Sequence, residues 1–492
     1  MKNTNRLAGV LLHITSLPGP ADNGEFGEAA FEFIDFLEAC GIKMWQVLPL
    51  GPTMSDLSPY QSASAYAGNP ELISITELIK NTWFYEEEFQ QFIAASPLDR
   101  KIKSTCLKFA YAQFYANAND DELAEFEQFS SVRSDWLDDY ALYAALKNNF
   151  ENKSWIDWPA AFRDGNRSAL EVAEKEHRAE IEYIKFVQFI FFQQWAQVKR
   201  YANSKHIKIF GDLPLFVSHD SADVWMNKEL FKLDGEGKLL YVAGVPPDYF
   251  SETGQRWGNP VYDWVAHEVD GFSWWIKRLE NQFELFDYVR IDHFRGLESY
   301  WEIPADHETA LKGYWVEAPG KKMLSALENH FGQQLPLIAE DLGLITDEVI
   351  ALKDAFHLPG MKILQFAFGG ESDNPYLPHN HEVDSVVYTG THDNNTTLGW
   401  FNSLSDDVRK QVYDYYGQNN ESMPWLLVRS AYASVANTVV LPFQDLIGLD
   451  EAGRMNVPGT VEGNWLWRFE WKELNQPRMI EYVNMLNDLY DR

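Results

Sequence analysis

Cysteine is almost missing from this chain: Cys40 and Cys106 are the only two among 492 residues. Two isolated thiols make no disulfide framework and no zinc site with ligand spacing, so both read as small buried hydrophobes in a reducing compartment. Positive charge is also scarce, with 41 Lys and Arg against 73 Asp and Glu, a formal net charge of −32. Nucleic-acid backbones and anionic membrane surfaces both require clustered basic side chains, so neither is an expected partner. No apolar run approaches the ~20 residues that span a bilayer. The most apolar segment, FVQFIFFQQWAQV at 186–198, carries Gln188, Gln193 and Gln194 and reads as a core helix with a polar face. Near the start, Lys2 and Arg6 precede an apolar stretch, but His13 interrupts it and no small-residue cleavage site follows, which favours a first strand over an export signal. There is no repeat, low-complexity tract or linker. The chain reads as a globular cytoplasmic protein with an acidic, solvated surface that a neutral ligand would not feel.

Eight short apolar or β-branched runs stand out instead: 8–14, 43–50, 207–217, 287–294, 336–343, 361–368, 385–393 and 437–445. Helix-like segments separate most of them; GEAAFEFIDFLEAC at 27–40 has apolar residues at helical spacing. Strands alternating with helices indicate βα units, and eight of them fit a (β/α)8 barrel, the TIM barrel, better than an open sheet. The spacing is uneven. Residues 51–206 between the second and third runs far exceed one crossover and are helix-like, which predicts a helical insertion subdomain. A second, loop-rich insertion is expected at 219–270, within a single catalytic barrel spanning 1–492. Loops that follow barrel strands form the active face, so both insertions should overhang it.

Acidic residues occur where these runs end: Asp212, Asp292 in VRIDHF, Glu340 in LIAEDLG, and Asp393 in YTGTHDNN. Arg290 and Asp292 are two apart, hence on one face of a strand, and the arginine favours the ionised carboxylate, as a nucleophile requires. A structural Arg–Asp pair closing the barrel accounts for them equally well. Glu340, beside Ile338 and Ala339, suits a proton donor of raised pKa, or else an acid at the start of a following helix. His392 beside Asp393 would suit a metal, but no second histidine-rich cluster accompanies them, so no metal is expected. Acids delivered to one rim by strands three, four, five and seven match the paired carboxylates of retaining glycosidic chemistry. Aromatic residues in Gly- and Pro-rich strings, including Tyr60, Tyr249, Phe250 and Trp257, would suit the apolar faces of sugar rings.

At these residues the sequence closely resembles the 4-α-glucanotransferases called amylomaltases or disproportionating enzymes, related to the α-amylase superfamily. The likeness runs over nearly the whole chain, through GVLLHITSLPGP, SPYQSASAYAGNP, GDLPLFVSHDSADVW, VAGVPPDYFSETGQRWGNPVY, VRIDHFRG, IAEDLG, GMKILQFAF, TGTHDNNT and GTVEGNWLWRF. Leu466 is a small departure, where many members carry a polar residue. The resemblance implies that Asp292 is the nucleophile, Glu340 the general acid/base and Asp393 the stabiliser of the transition state. It also implies that Arg290 holds Asp292 ionised, that His293, His392 and Asp212 lie in the cleavage pocket, and that Tyr60 stacks on the sugar. Asp248, Gln255 and Trp257 would belong to a mobile loop on the acceptor side. The implied partners are α-1,4-glucans (maltooligosaccharides, starch or glycogen fragments) and glucose, with no cofactor. The rival readings are an α-amylase-type hydrolase using the same acids and an inactive glucan-binding protein.

Overall fold

The computed structural model describes residues 6–19, 23–95, 100–247, 251–417 and 421–492. Twelve strands form two sheets: β1 (Leu7–Leu11), β2 (Met44–Gln46), β3 (Lys208–Leu213), β4 (Tyr241–Val245), β5 (Gln255–Pro260), β6 (Tyr288–Ile291), β7 (Ser299–Pro304), β8 (Tyr314–Glu317), β9 (Leu337–Ala339), β10 (Gly360–Ile363), β11 (Ser385–Tyr388) and β12 (Thr438–Pro442). Eight of them pair in parallel in the order β10-β11-β12-β1-β2-β3-β6-β9, one from each apolar run of the sequence. The two ends of that order meet: the Ala339 amide donates to the Pro359 carbonyl at 2.8 Å, and the Met361 amide to Asp341 at 2.7 Å. The result is a nearly closed (β/α)8 barrel, as expected.

Strand periodicity explains how the barrel is both a core and a scaffold for polar groups. Alternate side chains point inward, and Leu11, Met44, Phe210, Ile338, Met361, Ile363, Val386, Tyr388 and Val440 fill the interior. Continuing the same inward rows, Asp212 lies two residues beyond Phe210, and Arg290 two beyond Tyr288. A polar layer therefore caps an apolar one at the carboxyl ends of the strands. Outward-facing residues such as Val10, Trp45, Ile209, Val289 and Val439 pack under the helices in the larger core.

Between β2 and β3 the described chain runs as loop to Asn69, is largely helical from Ile75 onward, and ends in the long helix Arg178–Ser204. Of the glutamines Gln188, Gln193 and Gln194, Gln193 is partly exposed and the other two point into the core. Gln188 and Gln194 are fully buried, and each amide both accepts from and donates to one backbone unit, that of Gly68 and of Ser74 respectively, at 2.7–3.0 Å. They satisfy loop backbone that would otherwise be orphaned in the core, a role that spacing alone does not reveal.

The second sheet is antiparallel, in the order β5-β4-β7-β8. Its first two strands fall inside the stretch 219–270 that reads as loop. Gly, Pro and Asp density masks them in the sequence, and partners at 299–317 supply the pairing that makes them strands. Among the described residues no helix is long and apolar enough to cross a membrane. Cys40 and Cys106 are buried and unpaired.

Candidate active site

β6 ends at Ile291 and β9 at Ala339, so Asp292 and Glu340 are the first residues past two adjacent strands. Backbone bonds lock the junction: the Glu340 amide donates to the Ile291 carbonyl at 3.1 Å, and the Asp292 amide to that of Leu213 at 3.0 Å. His293 then adopts a left-handed conformation, φ 55°, uncommon for a residue other than glycine. That bend turns its amide onto the Glu340 carboxylate at 2.7 Å, while the Leu342 amide reaches the other oxygen at 3.1 Å.

Arg290 is the hub. Its Nη1 lies 2.8 Å from both oxygens of Asp212, and its Nη2 2.9 Å from Asp292. The sequence places Arg290 beside Asp292 alone; the fold makes it serve two carboxylates. Asp292 answers to more than that one partner. Burial pushes its pKa up, Arg290 pulls it down, and Asp212 and Asp393 push it up again, leaving it at about 6. Asp292 is thus ionised at neutral pH, but by a narrow margin. Burial raises Glu340 further, to about 8, against the pull of Arg290 and with the push of Asp292. The two carboxyls titrate as a pair in which the proton resides on Glu340.

Asp393 behaves in the opposite way. Burial raises it, but His392 at 3.3 Å and a 2.6 Å hydrogen bond from Asn456 outweigh that and hold it well below the usual carboxylate range. The loop 389–397 that carries it is pinned at both ends by buried Asp445. This carboxylate accepts from the Thr389 hydroxyl at 2.5 Å, the Thr397 hydroxyl at 2.6 Å and the Thr397 amide at 2.7 Å.

The other site residues singled out in the sequence arrive around these acids, with three exceptions. The Tyr60 hydroxyl donates to Asp212 at 2.6 Å, and its ring stacks on His392, centroids 5.2 Å apart and planes 17° from parallel. Gln255 and Trp257 sit on strand β5 rather than in a loop, because pairing with β4 extends the backbone there. Trp257 donates to the Gln255 side chain at 3.1 Å and meets His293 edge-on at 4.8 Å. Burial holds the His293 ring neutral, near pKa 3, and its Nε2 has no hydrogen-bond partner among the described residues. Asp248, with Tyr249 and Phe250, lies outside the described residues.

Three contributors were not singled out. Arg454 donates to the Asp393 carbonyl at 2.9 Å, Asn456 to its carboxylate, and Trp465 lies 6.0 Å from both the Tyr60 and His392 rings. All three come from an irregular segment with no periodicity to flag it. Asp445 did carry a signal, an acid closing the eighth apolar run. Among the described residues no group of three or more His, Cys, Asp or Glu side chains is placed to hold a metal ion.

Two anionic carboxylates of unequal acidity and one protonated carboxyl, on one barrel rim, form an apparatus for acid-assisted displacement at a sugar carbon. Known proteins place it further. The sequence signature of the 4-alpha-glucanotransferase family matches residues 12–474. A 4-alpha-glucanotransferase of Synechocystis sp. is 47% identical, covering 99% of this chain and 98% of its own length. One from Thermus thermophilus is also 47% identical, with 96% of each chain covered. In three dimensions the amylomaltase from Streptococcus agalactiae, solved in complex with acarbose, matches with a TM-score of 0.94 at 37% identity over 99% of both chains. The chain belongs to the 4-alpha-glucanotransferase family and acts by transglycosylation rather than hydrolysis.

Proposed function

We propose that Asp292 attacks the anomeric carbon of an α-1,4-linked glucosyl unit while Glu340 gives its proton to the departing 4-oxygen. The products of that half-reaction are a shortened sugar and a glycosyl ester on Asp292. Glu340, now ionised, removes the proton from the 4-hydroxyl of an acceptor glucan or glucose, whose oxygen displaces Asp292 and restores an α-linkage. Two inversions give retention. Asp393, the most acidic of the three, stays anionic throughout and stabilises positive charge at the ring.

In this reading Asp212, Arg290, His293, His392 and Tyr60 surround the glucosyl unit being transferred. Arg290 orients both carboxylates, and the neutral His293 ring offers its unpartnered Nε2 to a sugar hydroxyl. Gln255 and Trp257 shape the acceptor side, and Trp257 and Trp465 shield the ester from water, which transfer requires. The 51–206 and 219–270 stretches act as insertions over the mouth. Substrates are maltooligosaccharides or fragments of starch or glycogen, with glucose as the smallest acceptor, handled in the cytoplasm.

The observation that carries this reading is the delivery of two carboxyls by adjacent strand ends into different surroundings. Asp292 lies 2.9 Å from the Arg290 guanidinium, while among the described residues Glu340 meets only backbone amides, that of His293 at 2.7 Å and of Leu342 at 3.1 Å, and burial raises it the more. Incubation with maltotriose alone tests it. Glucose with a ladder of longer maltodextrins is expected; glucose and maltose without elongation would refute transfer.

A further inference from the structure

Of the 18 tryptophans in the chain, only Trp315 is exposed among the described residues, with 39% of its surface open. It sits on β8, an edge strand of the antiparallel sheet, in the segment that joins Asp292 to Glu340 but on neither barrel strand end. Leaving a large apolar ring in solvent forgoes burial that favours folding, so its neighbours indicate what it is there for.

Those neighbours fix the ring. The Arg295 guanidinium lies 3.8 Å from its centroid, covering one face, and Trp301 packs edge-on at 5.3 Å with planes at 68°. Arg295 is itself buried and follows Asp292 by three residues. It donates to the carbonyl of Leu344, four residues after Glu340, and to the Ser299 hydroxyl at 3.2 Å. The Ala318 amide closes the same junction on the Glu298 carbonyl at 2.8 Å. The indole is thereby attached to both loops that leave Asp292 and Glu340. It is a rigid platform whose orientation is set before any ligand arrives, which lowers the entropy lost on binding.

We propose that Trp315 is a distal subsite for α-glucan chains, stacking on a glucose ring several units from the bond being broken. This rests on the transglycosylation assigned above and names a part of the substrate path that the catalytic rim does not include. The occupant follows from the surroundings. A strongly acidic protein disfavours a nucleic-acid base on this ring, whereas a neutral pyranose meets no charge penalty and presents an apolar face. Continuity with the catalytic loops through Arg295 favours a chain already held at Asp292 over an unrelated protein surface.

The test compares Trp315→Ala and Trp315→Phe with wild type, using maltotriose and long-chain amylose as separate substrates. Removing one ring face withdraws roughly 50 Å² of apolar contact, so KM for amylose is expected to rise about tenfold in Trp315→Ala. The maltotriose kcat and KM should hold, and Trp315→Phe should restore most of the amylose KM. Equal losses on both substrates would overturn the proposal and make Trp315 a brace for Arg295. Unchanged amylose kinetics would also overturn it; if sedimentation of the same variant showed loss of a dimer, the ring would belong to a subunit contact. A wild-type protein that fails to elongate maltotriose would instead sink the underlying reading of function.

Discussion

Replacing Arg290 by methionine removes the cation shared by Asp212 and Asp292 while roughly keeping side-chain volume. Arg290 Nη2 lies 2.9 Å from Asp292, which puts the charge centres about 4 Å apart. At an effective dielectric near 20 the lost attraction is about 4 kcal/mol, equivalent to roughly 3 pKa units. The Asp292 side chain is 30% exposed, so solvent screening reduces this to roughly 2 units in practice. Asp292 then moves from about 6 in the wild type to roughly 8, and its ionised fraction at pH 7 falls about tenfold. The assay is kcat/KM for maltotriose disproportionation from about pH 5 to pH 9. Wild type should give a bell with limbs near 6 and 8, set by Asp292 and Glu340. The variant should lose about tenfold to a hundredfold at pH 7 and recover part of that as pH rises. Circular dichroism at each pH separates this from unfolding, because an uncompensated buried carboxylate also destabilises the fold. A loss of equal size at every pH would refute the electrostatic argument and leave Arg290 a purely geometric role.

Glu340→Gln should abolish transfer from ordinary maltodextrins, yet keep partial glycosylation from a glycosyl fluoride, whose leaving group needs no proton; absence of rescue would count against the acid role. The same variant should be more heat-stable. The raised pKa of Glu340 means its stabilising contribution is complete below about 4.5 and lost progressively as pH rises to about 8, so the gain in Tm, roughly 2–4 °C, should be absent near pH 4, grow between pH 4.5 and 8 and level off above that in thermal melts. Asn456→Leu removes the 2.6 Å hydrogen bond to Asp393 and should lower kcat about tenfold while leaving the acid limb, which Asp292 sets, in place; a change confined to KM would contradict a positioning role. Asp445→Asn turns one of the two accepting oxygens into a donor, set against either the Thr397 amide or the Thr389 and Thr397 hydroxyls, and should cost about 1–3 kcal/mol in chemical denaturation, together with activity.

Much of this site was legible because barrel strands carry their chemistry at their ends. Asp292 and Glu340 each follow a short apolar run directly, and period two alone put Arg290 and Asp292 on the same face. What periodicity could not show was a third party to that pair. Asp212 lies 78 residues before Arg290 and meets it only because β3 and β6 are neighbours, with Asp212 opposite Arg290 in register. Asp212 and Asp393 therefore offset part of the pull of Arg290 on Asp292, an effect that depends on the fold. Irregular segments were harder still: Arg454, Asn456 and Trp465 reach Asp393 and its surroundings through backbone turns, including a left-handed Trp465 at φ 66°, that no spacing rule anticipates. The antiparallel sheet was missed for the related reason that its strands are made by long-range pairing, not by local propensity.

The central claim is that one carboxylate, Asp292, carries the sugar between donor and acceptor. Acid-quenching Glu340→Gln after exposure to a glycosyl fluoride, followed by peptide mass spectrometry, tests it most directly. The account predicts a glycosyl adduct on the peptide containing VRIDHF, localised to Asp292 and absent in an Asp292→Asn background. An adduct on the peptide carrying Glu340 or Asp393, or an adduct that persists without Asp292, would contradict it.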